Sequence, residues 1–228
     1  GGTSTDVSRY TGQVGRCYES RVAGLRVLTP MMDIRTVAAG GGSICDVVGG
    51  RLAVGPASAG ADPGPACYGR GGPLTVTDIN LLLKRLPIDR FPFPLDEMAA
   101  KRRIEEVAKR LSDSVEIPSL ETLAEGFLQI AVTHMAEAVR TVSTAEGNDV
   151  RQMTLVGFGG AAGQHLCRVA DSLNMSQIID HPDASMLSAL GMGLADIGRI
   201  VTRGVYATLD DASSEWISRI VDGLRSEA

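Results

Sequence analysis

The chain has 228 residues, of which 44% are hydrophobic, and a net charge of −5. That is enough apolar material for one sizeable core, or for one domain carrying a large insertion. Lys and Arg form no basic stripe, no apolar run reaches about 18 residues and no secretory leader pattern is present, so nucleic acid, membrane and export are unexpected and the cytoplasm is the expected compartment.

In chain order, residues 3–9, 14–21 and 24–28 read as three short strands separated by turn signals, an expected antiparallel meander. Residues 33–118 are rich in Gly, Pro and Ala, with strand-like pieces only at "RLAVG" and "LTVTD". "INLLLKRL" suggests a short helix, and "PIDRFPFPLD" breaks regular structure because each proline removes a backbone donor. "DEMAAKRRIEEVAKRLSDS" reads as a helix capped by Asp96, with "KRRIEEVAKR" as its solvated face. The whole stretch is expected to be an inserted subregion.

From Ser119 the pattern is regular. Residues 119–147 predict a long amphipathic helix, with Ser119 as cap, Glu121 in the first turn and Gly147 at the end. Leu120, Leu123, Phe127, Ile130, Val139 and Val142 share its apolar face. "MTLVGF" predicts a buried-type strand, "GQHLCRVADSLN" a helix, "QIID" a strand and "SMLSALGMGLADIG" a helix. "RIVTRGVYATL" then predicts a strand and "SSEWISRIVDGLR" a terminal helix. Three strands, an insertion and an alternating tail imply parallel pairing in the tail. The order βββαβαβα is that of one lobe of an actin-like (ribonuclease H-like) ATPase fold, an α/β architecture. The expected division is residues 1–32 plus 119–207 as lobe core, 33–118 as Gly/Pro-rich insertion and 208–228 as a helical extension.

Glycine is 27 of the 228 residues, well above the usual share of about 7%, and it clusters. The opening "GGTSTD" suits a phosphate-binding hairpin, in which small residues expose backbone N–H groups and hydroxyls add donors. It equally suits a plain tight hairpin. Asp6 is a candidate to hold a water of Mg²⁺ or another divalent cation. "MTLVGFGGAAGQHLCRVA" is strand, glycine-rich turn and helix, the context of a nucleotide turn because a helix N-terminus offers free N–H groups. It lacks both the dinucleotide and the P-loop spacings, and a structural turn stays open. The four cysteines, Cys17, Cys45, Cys67 and Cys167, and the three histidines, His134, His165 and His181, show no metal-ligand spacing, so free thiols and no structural zinc are expected.

"GGTSTDVSRYTG", "DIRTVAAGGGSI", "VGPASAGADPGPACYGRGGPLTVTDINLLLKRL", "GFGGAAGQHLCRVADSLNM" and "HPDASMLSALGMGLADIG" together resemble the hydantoinase A/5-oxoprolinase family, from residue 1 to about residue 205. "SRYTG", "DRFPFPLD" and "HPDASMLSALG" look most like its ATP-dependent 5-oxoprolinases. The resemblance implies ATP and a divalent cation as cofactors and a cyclic amide as substrate, 5-oxo-L-proline or a hydantoin. It implies phosphate contacts from Gly2, Thr3, Ser4, Thr5 and Asp6. Adenosine-side contacts would come from Gly159, Gly160, Gly163 and Gln164, in a turn where Ala162 replaces a family glycine. Asp33, Asp62, Asp78, Asn80 and His165 are cleft candidates, together with Thr36, the 40–43 turn and Cys67. Asp78 and Asn80 suit helix capping equally well, Cys67 suits a buried thiol, and His165 suits a surface turn. Catalytic residues are unassigned.

Family polypeptides begin with another lobe bearing its own phosphate loop. The chain is therefore expected to be one lobe of a two-lobe cleft, inactive alone, with the N-terminal lobe and a hydantoinase B-like subunit or domain as partners. The alternatives are a subunit of an acetone or acetophenone carboxylase-type enzyme, and a non-catalytic nucleotide-binding scaffold.

Overall fold

The computed structural model describes residues 2–22, 24–112, 119–144, 147–208 and 214–228. It is a mixed α/β protein with two compact units, one of Gly1–Arg16 and Met32–Leu190, the other of Cys17–Met31 and Gly191–Ala228. The strands before the first helix are β1 (Thr5–Val7), β2 (Arg16–Cys17), β3 (Ser20–Val22), β4 (Leu25–Val27), β5 (Met31–Met32), β6 (Arg35–Val37), β7 (Ser43–Val48) and β8 (Arg51–Ser58). The helices α1 (Val76–Leu82), α2 (Glu97–Ser112) and α3 (Leu120–Thr144) follow. The chain then runs through β9 (Thr154–Gly157), α4 (Leu166–Leu173), β10 (Gln177–Asp180), α5 (Leu187–Leu194) and α6 (Ser214–Glu227).

The expected meander does not form. β1 pairs antiparallel with β6, Asp6 opposite Thr36, while β3 pairs with β4. An alternating pattern marks a segment as strand-like but does not choose its partner, and here the partner lies some thirty residues on. β7 and β8 form a hairpin closed by Gly49 and Gly50 at φ +57 and +73. Both central residues are left-handed, the geometry that matches strand twist and that glycine adopts freely.

Residues 33–118, expected as an insertion, share one core with α3. Val76, Ile79 and Ile104 pack in the same buried cluster as Phe127, Leu128 and Val132. "LTVTD" is not a strand: Thr75 makes one isolated bridge to Ile44 and the segment turns into α1. A second cluster joins Cys67, Leu81, Leu86 and Ala100, covered by Tyr68 and Phe91.

The caps form as the sequence suggests. Asp96 Oδ1 accepts from Ala99 N–H at 2.8 Å, and Ser119 Oγ from Thr122 N–H at 3.1 Å. Leu123, Phe127 and Val142 of the expected apolar face are buried. Leu120, Ile130 and Val139 pack at the edge of the core. α3 lies against α1, α4 and β8. Arg168 of α4 forks onto Glu125 of α3 at 2.7 and 2.9 Å.

β9, α4 and β10 make a parallel βαβ unit, Leu155 opposite Ile178. β9 is not the buried strand expected: Val156 is 52% exposed, and all four residues of β10 are exposed. Gly157 is required where β9 passes α4, since a Cβ there would lie 2.2 Å from Leu166 Cδ1. The strand expected over 199–209 is absent in the described residues 199–208, and Leu209 lies outside them. Ile200, Val205 and Tyr206 have β-forming side chains, but a strand needs a pairing edge, and these side chains are exposed. Among the described residues no helix is long and apolar enough to cross a membrane.

Candidate functional site

Three glycine segments of the first unit converge. Gly42 N–H donates to Gly2 O, and Ser43 Oγ donates to Thr3 O at 3.4 Å. A Cβ built on Gly41 would lie 2.8 Å from Thr77 Oγ1 and 3.9 Å from both Gly2 O and Ala161 Cβ. The "GGTSTD" loop, the 40–43 turn and the 159–164 turn therefore meet beside the start of α1. Close backbone approach explains glycine at position 41, where a side chain would displace Thr77.

Around the first loop, Thr5 Oγ1 donates to Ala39 O at 3.0 Å. Asp6 is exposed, and its Oδ1 accepts from Thr36 Oγ1 at 2.7 Å. Gly2 and Thr3 are exposed, and Ser4 is half-buried. In the other turn Gly159 has φ +95 and donates its N–H to Ala184 O at 2.8 Å. A Cβ on Gly160 would meet nothing within 4 Å, and one on Gly163 would reach Asp180 Oδ2 at 3.6 Å. The backbone of this turn is thus open to a ligand. α4 begins just after it, with no side-chain cap at its N-terminus. An uncapped helix N-terminus carries free N–H groups and the positive end of the helix dipole, although Ala162, Gln164 and His165 N–H already donate within the turn.

The wall behind the turn is polar and buried. Asn80, fully buried, donates from Nδ2 to Gln164 Oε1 at 3.0 Å. Arg85 Nη2 donates to Gln164 O at 3.2 Å. Arg85 reaches that point because α1 ends on Lys84 at φ +56, with Lys84 N–H on Leu81 O and Arg85 N–H on Asn80 O at 3.0 and 2.8 Å. This is a Schellman-type ending with lysine in the left-handed position that glycine usually takes. His165 is 4% exposed, so it is no surface turn residue. Burial, and next the positive charge of Arg85, push its pKa down to about 4, and the imidazole is neutral at pH 7. Its Nδ1 and Nε2, with Asn80 Oδ1 and Arg85 Nε, are buried atoms without hydrogen-bond partners among the described residues. Native proteins pair nearly all buried polar atoms, so such a cluster marks a site whose bonding is completed from elsewhere.

Asp78 occupies a different position. It is fully buried and accepts four bonds: from Thr75 N–H and Oγ1 at 2.8 Å each, Ala66 N–H at 3.1 Å and Cys67 N–H at 2.7 Å. It caps α1 and ties that helix to the Pro/Gly loop. Burial, then the Asp78 carboxylate, push the Cys67 thiol far up, so Cys67 is a protonated core residue and no nucleophile. Asp33 and Asp62 are both exposed. Asp33 donates its N–H to Gly15 O at 2.9 Å, and Asp62 lies in the turn after β8. Neither is hydrogen-bonded to the glycine turns among the described residues. No group of three or more His, Cys, Asp or Glu able to hold a metal occurs among the described residues either. Arg85 carries no sequence signal of its role, because its approach to Gln164 depends on how α1 ends.

The chain matches known proteins over most of its length. The family model for hydantoinase/oxoprolinase proteins matches residues 1–201. The chain is 44% identical over 210 residues to a 5-oxoprolinase of Saccharomyces cerevisiae, covering 86% of this chain and 16% of that protein. The crystal structure of an ATP-dependent caprolactamase from Pseudomonas jessenii superposes with a TM-score of 0.75 at 35% identity, over 100% of this chain and 33% of the other. A nucleotide-free acetone carboxylase superposes with a TM-score of 0.76 at 25% identity, over 86% and 28%. The chain spans only 16–19% of the length of the first curated relatives it matches.

Proposed function

Because the chain belongs to the hydantoinase/oxoprolinase family, we propose that its converging glycine turns form one wall of the nucleotide site of an ATP-dependent enzyme that opens cyclic amides. The observation that carries this reading is the meeting of Gly2, Gly41 and Ala161 beside the start of α1, in a turn that leads into the uncapped N-terminus of α4. The 5-oxoprolinase and caprolactamase relatives support a lactam as substrate class, with 5-oxo-L-proline or a hydantoin as the specific choice. The βαβ unit followed by α5 supports an actin-like lobe, to which we assign residues 1–32 and 119–207 with 33–118 as its elaboration, although Cys17–Met31 and the residues from Gly191 on fall in the second compact unit.

The residues present fit a nucleotide with a divalent cation. When bound, ATP would supply a phosphoryl group that, on the amide oxygen, makes the carbonyl carbon electrophilic enough for water, with the ring nitrogen and then phosphate the groups released. Backbone N–H groups at Gly2, Thr3, Ser4 and Thr5 and the hydroxyls of Thr3 and Ser4 would bind phosphate oxygens, the Thr5 hydroxyl being donated to Ala39 O. Asp6, steadied by Thr36, holds a water of the cation. Gly159 and Gly160 let the backbone approach the nucleotide, and Gly163 and Gln164 present the start of α4. In-line geometry needs an opposing wall, which we assign to further polypeptide of the kind the longer relatives contain, with a hydantoinase B-like subunit or domain as partner.

The test is phosphate release from Mg-ATP by the 228-residue chain and by the longer polypeptide carrying it. Expected are no turnover by the chain and 5-oxo-L-proline-stimulated release by the longer polypeptide. A second reading, a carboxylase-type subunit, has the acetone carboxylase likeness behind it. Release that requires a ketone and bicarbonate selects that reading. Nucleotide binding without turnover under any condition selects a scaffold role, and no binding at all overturns the nucleotide site.

A further inference from the structure

Gln164 is gripped at two points by residues of and just after α1, 84 and 79 residues away in the chain. Asn80 holds its side-chain oxygen, and Arg85 holds its backbone carbonyl. The same helix grips the other glycine turn. Thr77 N–H and Oγ1 both donate to Gly41 O, at 2.8 and 2.9 Å. α1 is in turn anchored by the four bonds to Asp78 and by the burial of Val76 and Ile79. We propose that α1 is the brace that fixes the two glycine turns relative to each other, and that Asn80 and Arg85 are positioning residues acting through Gln164.

The geometry of the brace stands alone; its consequence for nucleotide affinity rests on the function proposed above. Two independent bonds, one from a short, buried helix and one from the residue just after its end, fix both the side chain and the main chain of the residue that leads into α4. The turn's N–H groups are then held in place before a ligand arrives, so less ordering is needed on binding. A latch serving stability alone would leave its buried atoms paired. Here Asn80 Oδ1, Arg85 Nε and both nitrogens of the adjoining His165 are unpaired among the described residues, at the surface where the brace meets the turn. Those free valences let the contact re-pair when the turn is occupied.

Arg85 is the residue to test, because it is only half-buried and can be changed without opening the core. Arg85→Met keeps the stem and removes the donor, and Arg85→Lys restores one donor. Gln164→Leu removes the Asn80 bond from the turn side and leaves Asn80 in place. Hydrogen exchange on the ligand-free chain reads the brace directly. Amides of residues 160–165 should exchange about tenfold faster in Arg85→Met and Gln164→Leu, with Arg85→Lys close to the parent and α3 unchanged in all. In the longer polypeptide, Arg85→Met should raise KM for ATP about tenfold with kcat reduced less than about twofold and KM for the lactam unchanged. Arg85→Lys should recover KM. Unchanged turn exchange in Arg85→Met, or equal loosening in Arg85→Lys, overturns the brace. Loosened turns with an unchanged KM for ATP overturn the positioning role. A parent protein that binds no ATP sinks the nucleotide reading, while the exchange measurement still decides the brace.

Discussion

A buried imidazole with neither nitrogen hydrogen-bonded is held at a cost to stability, and among the described residues His165 is such a group. Its folded pKa of about 4 lies below the ordinary value of 6.5. Between these values the unfolded chain binds a proton that the folded chain excludes. The stability tied to this group is therefore complete above pH 6.5 and is lost as pH falls towards 4, by about 3 kcal/mol in all. His165→Leu removes the titration and two unpaired polar atoms. Urea unfolding at pH 7 and pH 4.5 should show the parent losing more stability than the variant, since acid effects on the carboxylates are common to both. Equal losses would place His165 in contact with water or a hidden partner. Its neutrality also suits the neighbourhood: a charged imidazole would stand against Arg85 just where Gln164 is gripped. The sequence marks His165 only as a residue following a glycine turn. Burial and partnering are tertiary properties, so neither its neutral state nor its tie to Arg85 was legible. Asp78, by contrast, was legible as a cap, because Thr-x-x-Asp before an apolar helix is a local signal.

At the scale of elements, the packing of β9 against α4 places the 159–164 turn. Gly157 lets them touch: three side-chain atoms of Leu166 would lie 2.2, 2.5 and 2.7 Å from an added Cβ. Leu166 is 8% exposed and has little room to yield. Gly157→Ala should destabilise the chain by about 1–3 kcal/mol through overpacking. Leu166→Ala should itself destabilise by removing buried methyl groups. In the double variant the effects should be less than additive, because the small side chain at 166 makes room for the new methyl. Thermal denaturation of the four proteins closes that cycle, and strict additivity would mean the strand accommodates alanine by shifting elsewhere. Helices α2 and α3 were readable from their caps and apolar residues, and α4 from its sequence pattern, all of which are local. The strands were readable as segments but not as pairs. β1 finds β6, beyond a hairpin that the sequence offers as its neighbour. The 199–208 segment has strand composition with no paired edge to realise it. The convergence of Gly2, Gly41 and Ala161 was partly legible, since two glycine segments in strand–turn contexts suggest a shared cleft. That α1 joins them was not, because Thr77, Asn80 and Arg85 act over 36, 84 and 79 residues.

At the scale of the whole molecule, the core is unevenly placed. Every buried hydrophobic residue among those described falls between Ala39 and Met175, and so within the first unit. The second unit offers the β3–β4 hairpin, the exposed Arg26–Glu19 fork and α6, in which no residue is buried. A single exposed fork contributes little, and a 14-residue helix is marginal when it buries no face. Helices α1 and α3 belong to the other class, built on side chains with almost no exposure. The two classes should separate in native-state hydrogen exchange. Amides in the middle of α3 should exchange only through global unfolding, with free energies near the total measured by denaturant, while those of α6 should exchange at least about a hundredfold faster. Denaturant should speed exchange steeply only in the α3 class, because opening α6 exposes little new surface. If α6 proves as protected as α3, its apolar residues Ile217 and Val221 must be covered in solution, and a partner surface on that helix becomes the better account of its exposure here. If it exchanges freely, the candidate site owes its rigidity to the Ala39–Met175 core, and the brace through α1 is the route by which that core reaches the turns.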